Sequence, residues 1–325
     1  MKRVLVLGGV SYNTMIYVDS FPQPEPQTVF SKRLHDTVGS TGAGKALNLC
    51  RLGFDVTLHG VIGDDMYGDL IKGYFDGEDL HFIYEISPGG TERHTNLMDA
   101  EGRRISIIQV QRAPDPSQPD QGKIEPLIDE SDYVALSITS PYSSLIPLIK
   151  RHGKEIWCDL HDYDGVNPYH EPFVQASDYL FLSSDLMPDY RAFMERMIRD
   201  GKKLVVCTHG KKGSTALAVD GKWVDMPAIE QPLPVDTNGA GDAFFAGFLY
   251  GYARGHDVEV SMRYATIAGG LCTLSHELVF PQLSVELIEA EYDKHFSEER
   301  GEHETSPQDY VPSSTDGGRA GAGGM

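Results

Sequence analysis

Val4 to Leu7 form a short apolar run that stops at Gly8-Gly9. A run of that length without alternation predicts a buried parallel strand whose C-terminal end opens into a loop. From Ile124 onward the pattern becomes regular. It predicts strands over Tyr133 to Ile138, Glu155 to Leu160, Tyr179 to Leu182 and Leu204 to Thr208, alternating with helices over Ser143 to Arg151 and Tyr190 to Arg199. Such alternation predicts an α/β fold with a mostly parallel sheet covered by helices on both faces. Ser214 to Val219 and Lys222 to Asp225, joined at Asp220-Gly221, read as a hairpin edge. Helices follow over Gly239 to Ala253, Val258 to Ser275 and Val285 to Phe296.

The segment between the first strand and Gln109 is patterned differently. "FPQPEPQ" is a proline-rich turn between possible strands, and "RHTNLMDAEGRRISIIQ" predicts a hairpin closing at Ala100 to Gly102. These pieces flank a helix over Gly42 to Leu52 and a strand over Val56 to Ile62. They predict a small separate sheet, drawn from about 11–34 and 91–109, covering one face of a single domain over 1–296. The remainder, 297–325, is polar and glycine-rich and predicts a disordered tail.

Charge narrows the partners. A net charge of −20 and a pI near 4.9 argue against nucleic acid or an anionic membrane and favour a small ligand. No apolar run is long enough for a membrane helix, and the start is too short in its apolar part for a signal peptide. Cys50, Cys158, Cys207 and Cys272 lie far apart without a CxxC pair, which predicts reduced thiols and a cytoplasmic setting.

Two glycine-rich segments carry candidate chemistry. "VGSTGAGKAL", residues 38–47, nearly spells a nucleotide-binding P-loop. It has Ala46 where the magnesium-binding hydroxyl belongs, and the charged "SKRLHDTV" before it is no buried strand. The second segment is "VDTNGAGDAFFAGFLYG", Val235 to Gly251. Gly239, Ala240 and Gly241 at a helix start leave backbone N–H groups unobstructed, an anion cradle favoured by the helix dipole. The following helix is apolar on nearly every side and draws Asp242 inward. An acidic residue there favours the dipole, and it can also accept the proton of an attacking hydroxyl beside a transferring phosphoryl group.

"DTNGAGDAFFAGF" resembles the C-terminal signature of the PfkB, or ribokinase-like, carbohydrate kinases. "GSTGAGKALNLCRLG" is similar to their N-terminal signature, and "DSFPQPEP", "GVIGDDMYGD" and "CTHGKKGSTAL" agree in order, so that the resemblance spans about residues 3 to 290. It implies a doubly wound ribokinase-like domain with a small β-sheet lid, ATP and Mg²⁺ as cofactors, and transfer of the γ-phosphoryl group to a hydroxyl of a sugar or sugar-containing small molecule. A nucleoside kinase or a catalytically silent binding protein of the same fold stays open. In the resemblance Asp242 is the catalytic base, Asn238, Gly239, Ala240 and Gly241 form the anion hole, and Thr208, Gly210 and Gly213 lie on the nucleotide side. The glycine loop before Lys45, which begins a helix, contacts the phosphate acceptor. Asp236 would hold a monovalent cation such as K⁺, and the lid would form a homodimer contact.

Some positions depart from the family pattern. The substrate positions carry Ser11, Asn13, Ser40, Thr41 and Gly44, with Asn13 in place of a carboxylate and Gly44 in place of an asparagine. These changes remove polar grips, free space and predict that ribose is a poor acceptor. The magnesium motif after "DYLFL" has lost its glutamate, and Asp185 is the available substitute or a solvated loop residue. In "CDLHDYDG", Asp159, His161, Asp162 and Asp164 read as a polar loop and not as a metal cluster, and His94 reads as a surface or packing residue.

Overall fold

Strands of alternating inward and outward apolar residues organise the chain around one large sheet. The computed structural model describes residues 1–109, 118–229 and 235–296, so the expected tail over 297–325 lies outside the described residues. The first part runs β1 (Arg3–Leu7), β2 (Ser11–Tyr17), β3 (Arg33–Gly39), α1 (Thr41–Arg51), β4 (Asp55–Gly63), α2 (Met66–Phe75), β5 (His81–Ser87), β6 (Arg93–Met98) and β7 (Arg104–Gln109). The second runs α3 (Gln121–Glu130), β8 (Tyr133–Ser137), α4 (Ser140–Ser143), α5 (Ile146–Arg151), β9 (Ile156–Asp159), α6 (Glu171–Ala176), β10 (Tyr179–Ser183), α7 (Tyr190–Arg199) and β11 (Leu204–Thr208). The last runs β12 (Ser214–Ala218), β13 (Trp223–Met226), α8 (Ala240–Ala253), α9 (Val258–Cys272) and α10 (Val285–Phe296).

Among the described residues the main sheet has the order β13-β12-β11-β10-β9-β8-β1-β4-β5. Its pairs are parallel from β5 to β11 and antiparallel at the β12 and β13 edge. The period of two in the strands divides the core. Val4 and Val6 pack on one face with α1, α8 and α9, while Leu5 and Leu7 pack on the other with α3, α5 and α7. The chain leaves β1 toward β4 and later returns to β8 on its other side, which makes the C-terminal ends of β1 and β8 a topological switch point where ligands gather.

The second sheet has the order β3-β2-β6-β7, with β2 and β6 parallel and the outer pairs antiparallel. This is the lid expected from the sequence, with a different second strand. Residues 18–32 connect, and β3 at Arg33–Gly39 runs straight into α1. The helix expected over Ser143 to Arg151 is split, because Pro147 cannot continue a helix from Ser143 and instead sits at the start of α5. Among the described residues no helix is long and apolar enough to cross a membrane. The four cysteines are free thiols, all but Cys50 fully buried.

Candidate active site

A cavity of about 810 Å³ lies between the lid and the C-terminal ends of the main strands. The lid contributes Asn13, His94 and Arg104, and the strand ends contribute Asp159, Ser183 and Thr208. The helix start contributes Asn238, Gly239, Gly241 and Asp242. Ser40, Thr41 and Asp185 also line it. His94 lines the cavity and pairs with Glu92 at 2.7 Å.

Gly239 adopts a left-handed φ of 81°, and a Cβ there would stand 2.5 Å from the carbonyl oxygen of Leu278, so only glycine opens α8 in this way. The amides of a first helical turn have no intrahelical acceptor. That of Ala240 donates to the Thr237 carbonyl at 3.3 Å, which leaves the amides of Gly241 and Asp242 at the cavity wall and removes Ala240 from the expected cradle. The lid reaches this turn directly. Arg104 Nη1 donates to Asn238 Oδ1 at 2.5 Å, and Thr237 Oγ1 donates to the Gly102 carbonyl at 3.2 Å.

Asp242 is buried in the first turn of α8, and Lys45 Nζ donates to its Oδ1 at 2.6 Å. Burial pushes the Asp242 carboxyl above the usual carboxylate range against the opposing pull of Lys45 and His161. Lys45 also donates to Asp159 Oδ2 at 3.0 Å. Burial works against the Asp159 charge too. His161, Lys45 and the His161 amide outweigh it and hold that carboxyl down, at about 2. The Lys45 ammonium is kept charged by the two carboxylates despite burial. Both Lys45 and Asp159 escaped the sequence reading, which placed Asp159 in a polar loop. The available signal was a lysine inside the small and apolar run "GAGKALNL" and an aspartate closing an apolar strand.

Several expected site residues stand elsewhere. Ser11 is fully buried behind Asn13, and its hydroxyl donates to Asn13 Oδ1 at 2.7 Å, so it orients the amide and does not line the cavity. Gly44 frees no space for an acceptor, because a Cβ there would meet Asp242 Oδ2 at 2.4 Å: the carboxylate already fills that position. Thr208 lines the cavity, whereas Gly210 and Gly213 shape the turn into β12. Gly213 has φ 99°, and a Cβ there would stand 2.1 Å from the Met226 carbonyl oxygen. Ser40, the N-cap of α1, holds φ 75° and ψ 158°, a region that strains a non-glycine residue.

Asp185 is exposed at the cavity, and among the described residues no side-chain donor reaches its carboxylate, which fits an ion held through water. Asp236 fits a cation less well. Its Oδ1 accepts from the Asn238 amide at 2.8 Å and its Oδ2 from the lid residue Tyr17 at 2.5 Å. No group of three or more His, Cys, Asp or Glu side chains suited to a metal occurs among the described residues.

A family model described as pfkB family carbohydrate kinase matches residues 1–155 and 173–284. The chain is 33% identical to the acarbose 7(IV)-phosphotransferase of Actinoplanes sp. over 83% of its own length and 92% of that protein. It is 28% identical to the ribokinase of Bacillus subtilis over 85% of this chain and 94% of that one. Among solved structures, a microbiome-derived acarbose kinase superposes with a TM-score of 0.79 at 28% identity, covering 89% of this chain and 98% of the other.

Proposed function

This chain belongs to the pfkB family of carbohydrate kinases and is an ATP-dependent phosphotransferase with a hydroxyl of a sugar as acceptor, and we propose that Asp242 is its base. The acceptor hydroxyl loses its proton to Asp242 as its oxygen attacks the γ-phosphorus. The bond to the β-phosphate oxygen breaks, and ADP leaves. The Gly241 and Asp242 amides and the positive end of α8 stabilise charge on the transferring group. Supporting this reading is one observation above the others: a buried carboxylate and the open amides of its own helical turn face the same cavity. Mg²⁺ supplies neutralisation of the phosphates when bound, and Asp185 is the residue that would hold it.

Lid contacts at Asn238 and Thr237 cover the site and exclude water that would otherwise take the phosphoryl group. A homodimer through the lid belongs to the same reading, since Leu34 on β3 and Ile105 and Ile107 on β7 are exposed on the lid face turned away from the cavity.

The acceptor is proposed to be larger than a pentose. Acarbose, on which two relatives are named to act, stands as the leading candidate beside other modified sugars. The cavity volume and the neutral Asn13 support this. Coupled ADP release measured over ribose, nucleosides and acarbose should place ribose at least about tenfold below the best acceptor in kcat/KM, because changed polar partners change specificity. Asn13→Asp, which keeps the acceptor for Ser11, should shift the ranking toward small free sugars. Ribose equal to every other acceptor would refute this account of the pocket.

A further inference from the structure

Lys45 carries a charge into the protein interior. It is 3% exposed on α1, between Ala43, Ala46 and the ring of Phe245, whose centroid lies 5.4 Å from Nζ. Burying an ammonium is costly unless it is fully paired, and here two carboxylates share it. Asp159 is fixed in turn by His161, whose amide donates to Oδ1 at 2.9 Å and whose Nδ1 lies 3.3 Å from Oδ2. The result is a continuous line from Asp242 through Lys45 and Asp159 to His161 at the cavity wall.

A base matched by an undivided ammonium would bind protons too weakly. A base buried with no cation would keep its proton at neutral pH. We propose that Lys45 and Asp159 are positioning residues that aim Asp242 at the acceptor and balance its charge, Asp159 drawing off part of the Lys45 attraction. This rests on Asp242 being the base.

The groups facing Asp242 give the sign of each change. Lys45 comes from α1, Asp159 from the end of β9, and His161 and Asp162 from the loop after it. Asp236 precedes α8, and Cys272 on α9 is a thiol that burial pushes up to about 12, hence neutral. Removing Lys45 deletes the nearest cation and leaves Asp159 and Asp242 as like charges, so Asp242 takes up its proton at higher pH. Replacing Asp159 with asparagine gives Asp242 the whole of Lys45, so it takes up its proton at lower pH.

The test is the pH dependence of kcat/KM, with ATP and the best sugar acceptor, for wild type, Lys45→Met, Asp159→Asn and Asp242→Asn. The acid limb should rise by about one pH unit or more in Lys45→Met, so that a loss of about tenfold on the acidic side recovers at alkaline pH. In Asp159→Asn the limb should fall, with a lower plateau. Equal loss at every pH with an unmoved limb in both variants would overturn the proposal. If Lys45→Met does not fold, an unmoved limb in Asp159→Asn alone overturns it. An Asp242→Asn enzyme as active as wild type removes the base assignment itself, whereas an inactive one with unmoved limbs in the other two variants removes only the role of Lys45 and Asp159.

Discussion

Asp242→Asn folds, binds ATP with unchanged affinity, and turns over at least about 10²-fold more slowly, the loss expected when a general base is removed. Folding survives because asparagine matches aspartate in size and Lys45 keeps Asp159 as a counterion at 3.0 Å. The substitution even leaves the buried cluster neutral, with one ammonium against one carboxylate. ATP affinity survives because the Gly241 and residue 242 amides belong to the backbone. Calorimetric titration with ATP and steady-state turnover with the preferred sugar separate the two statements. Turnover within about threefold of wild type would remove Asp242 from the chemistry.

Gly44→Ala is expected to cost nearly as much turnover without removing a reacting group. The new Cβ would stand 2.4 Å from Asp242 Oδ2 and 2.9 Å from Cγ, and Asp242 cannot retreat freely because Lys45 and the first turn of α8 hold it. A displacement of about 1 Å at a reacting group costs on the order of 10²-fold. ATP affinity should be retained. Gly73→Ala on α2 is the matched control, since nothing lies within 4 Å of its added methyl. It should stabilise the protein by roughly 0.5–1 kcal/mol through helix propensity and leave turnover unchanged. A Gly44→Ala enzyme with wild-type kcat would mean that the carboxylate and the α1 backbone are not packed as described.

The strands of the main sheet were legible because they are apolar runs buried on both faces, as in Leu204–Thr208, whose bounds agree with the pattern. The lid was legible only in outline. β3 carries Arg33, His35 and Asp36 on a half-exposed antiparallel strand, where alternation is weak and charges are tolerated. α2 and β5 were not anticipated. β5 is an edge strand with no fully buried residue, so its sequence lacks a core face to read. At the site, the helix start from Asn238 to Asp242 could be found because its glycines and carboxylate are contiguous. The Lys45 pairs could not, because the partners lie 114 and 197 residues away and are joined only by the packing of α1 against α8 and the main sheet. Gly44 was misread for the same reason: a missing side chain looks like free space until the residue that fills it is placed.

Phosphorus NMR of the protein incubated with ATP and the preferred sugar tests the central claim most directly. The account predicts a phosphomonoester resonance on the sugar that grows in step with ADP, and the loss of both signals together in Asp242→Asn. ADP appearing with inorganic phosphate and no sugar ester, or an ester that forms as fast in Asp242→Asn as in wild type, would contradict it.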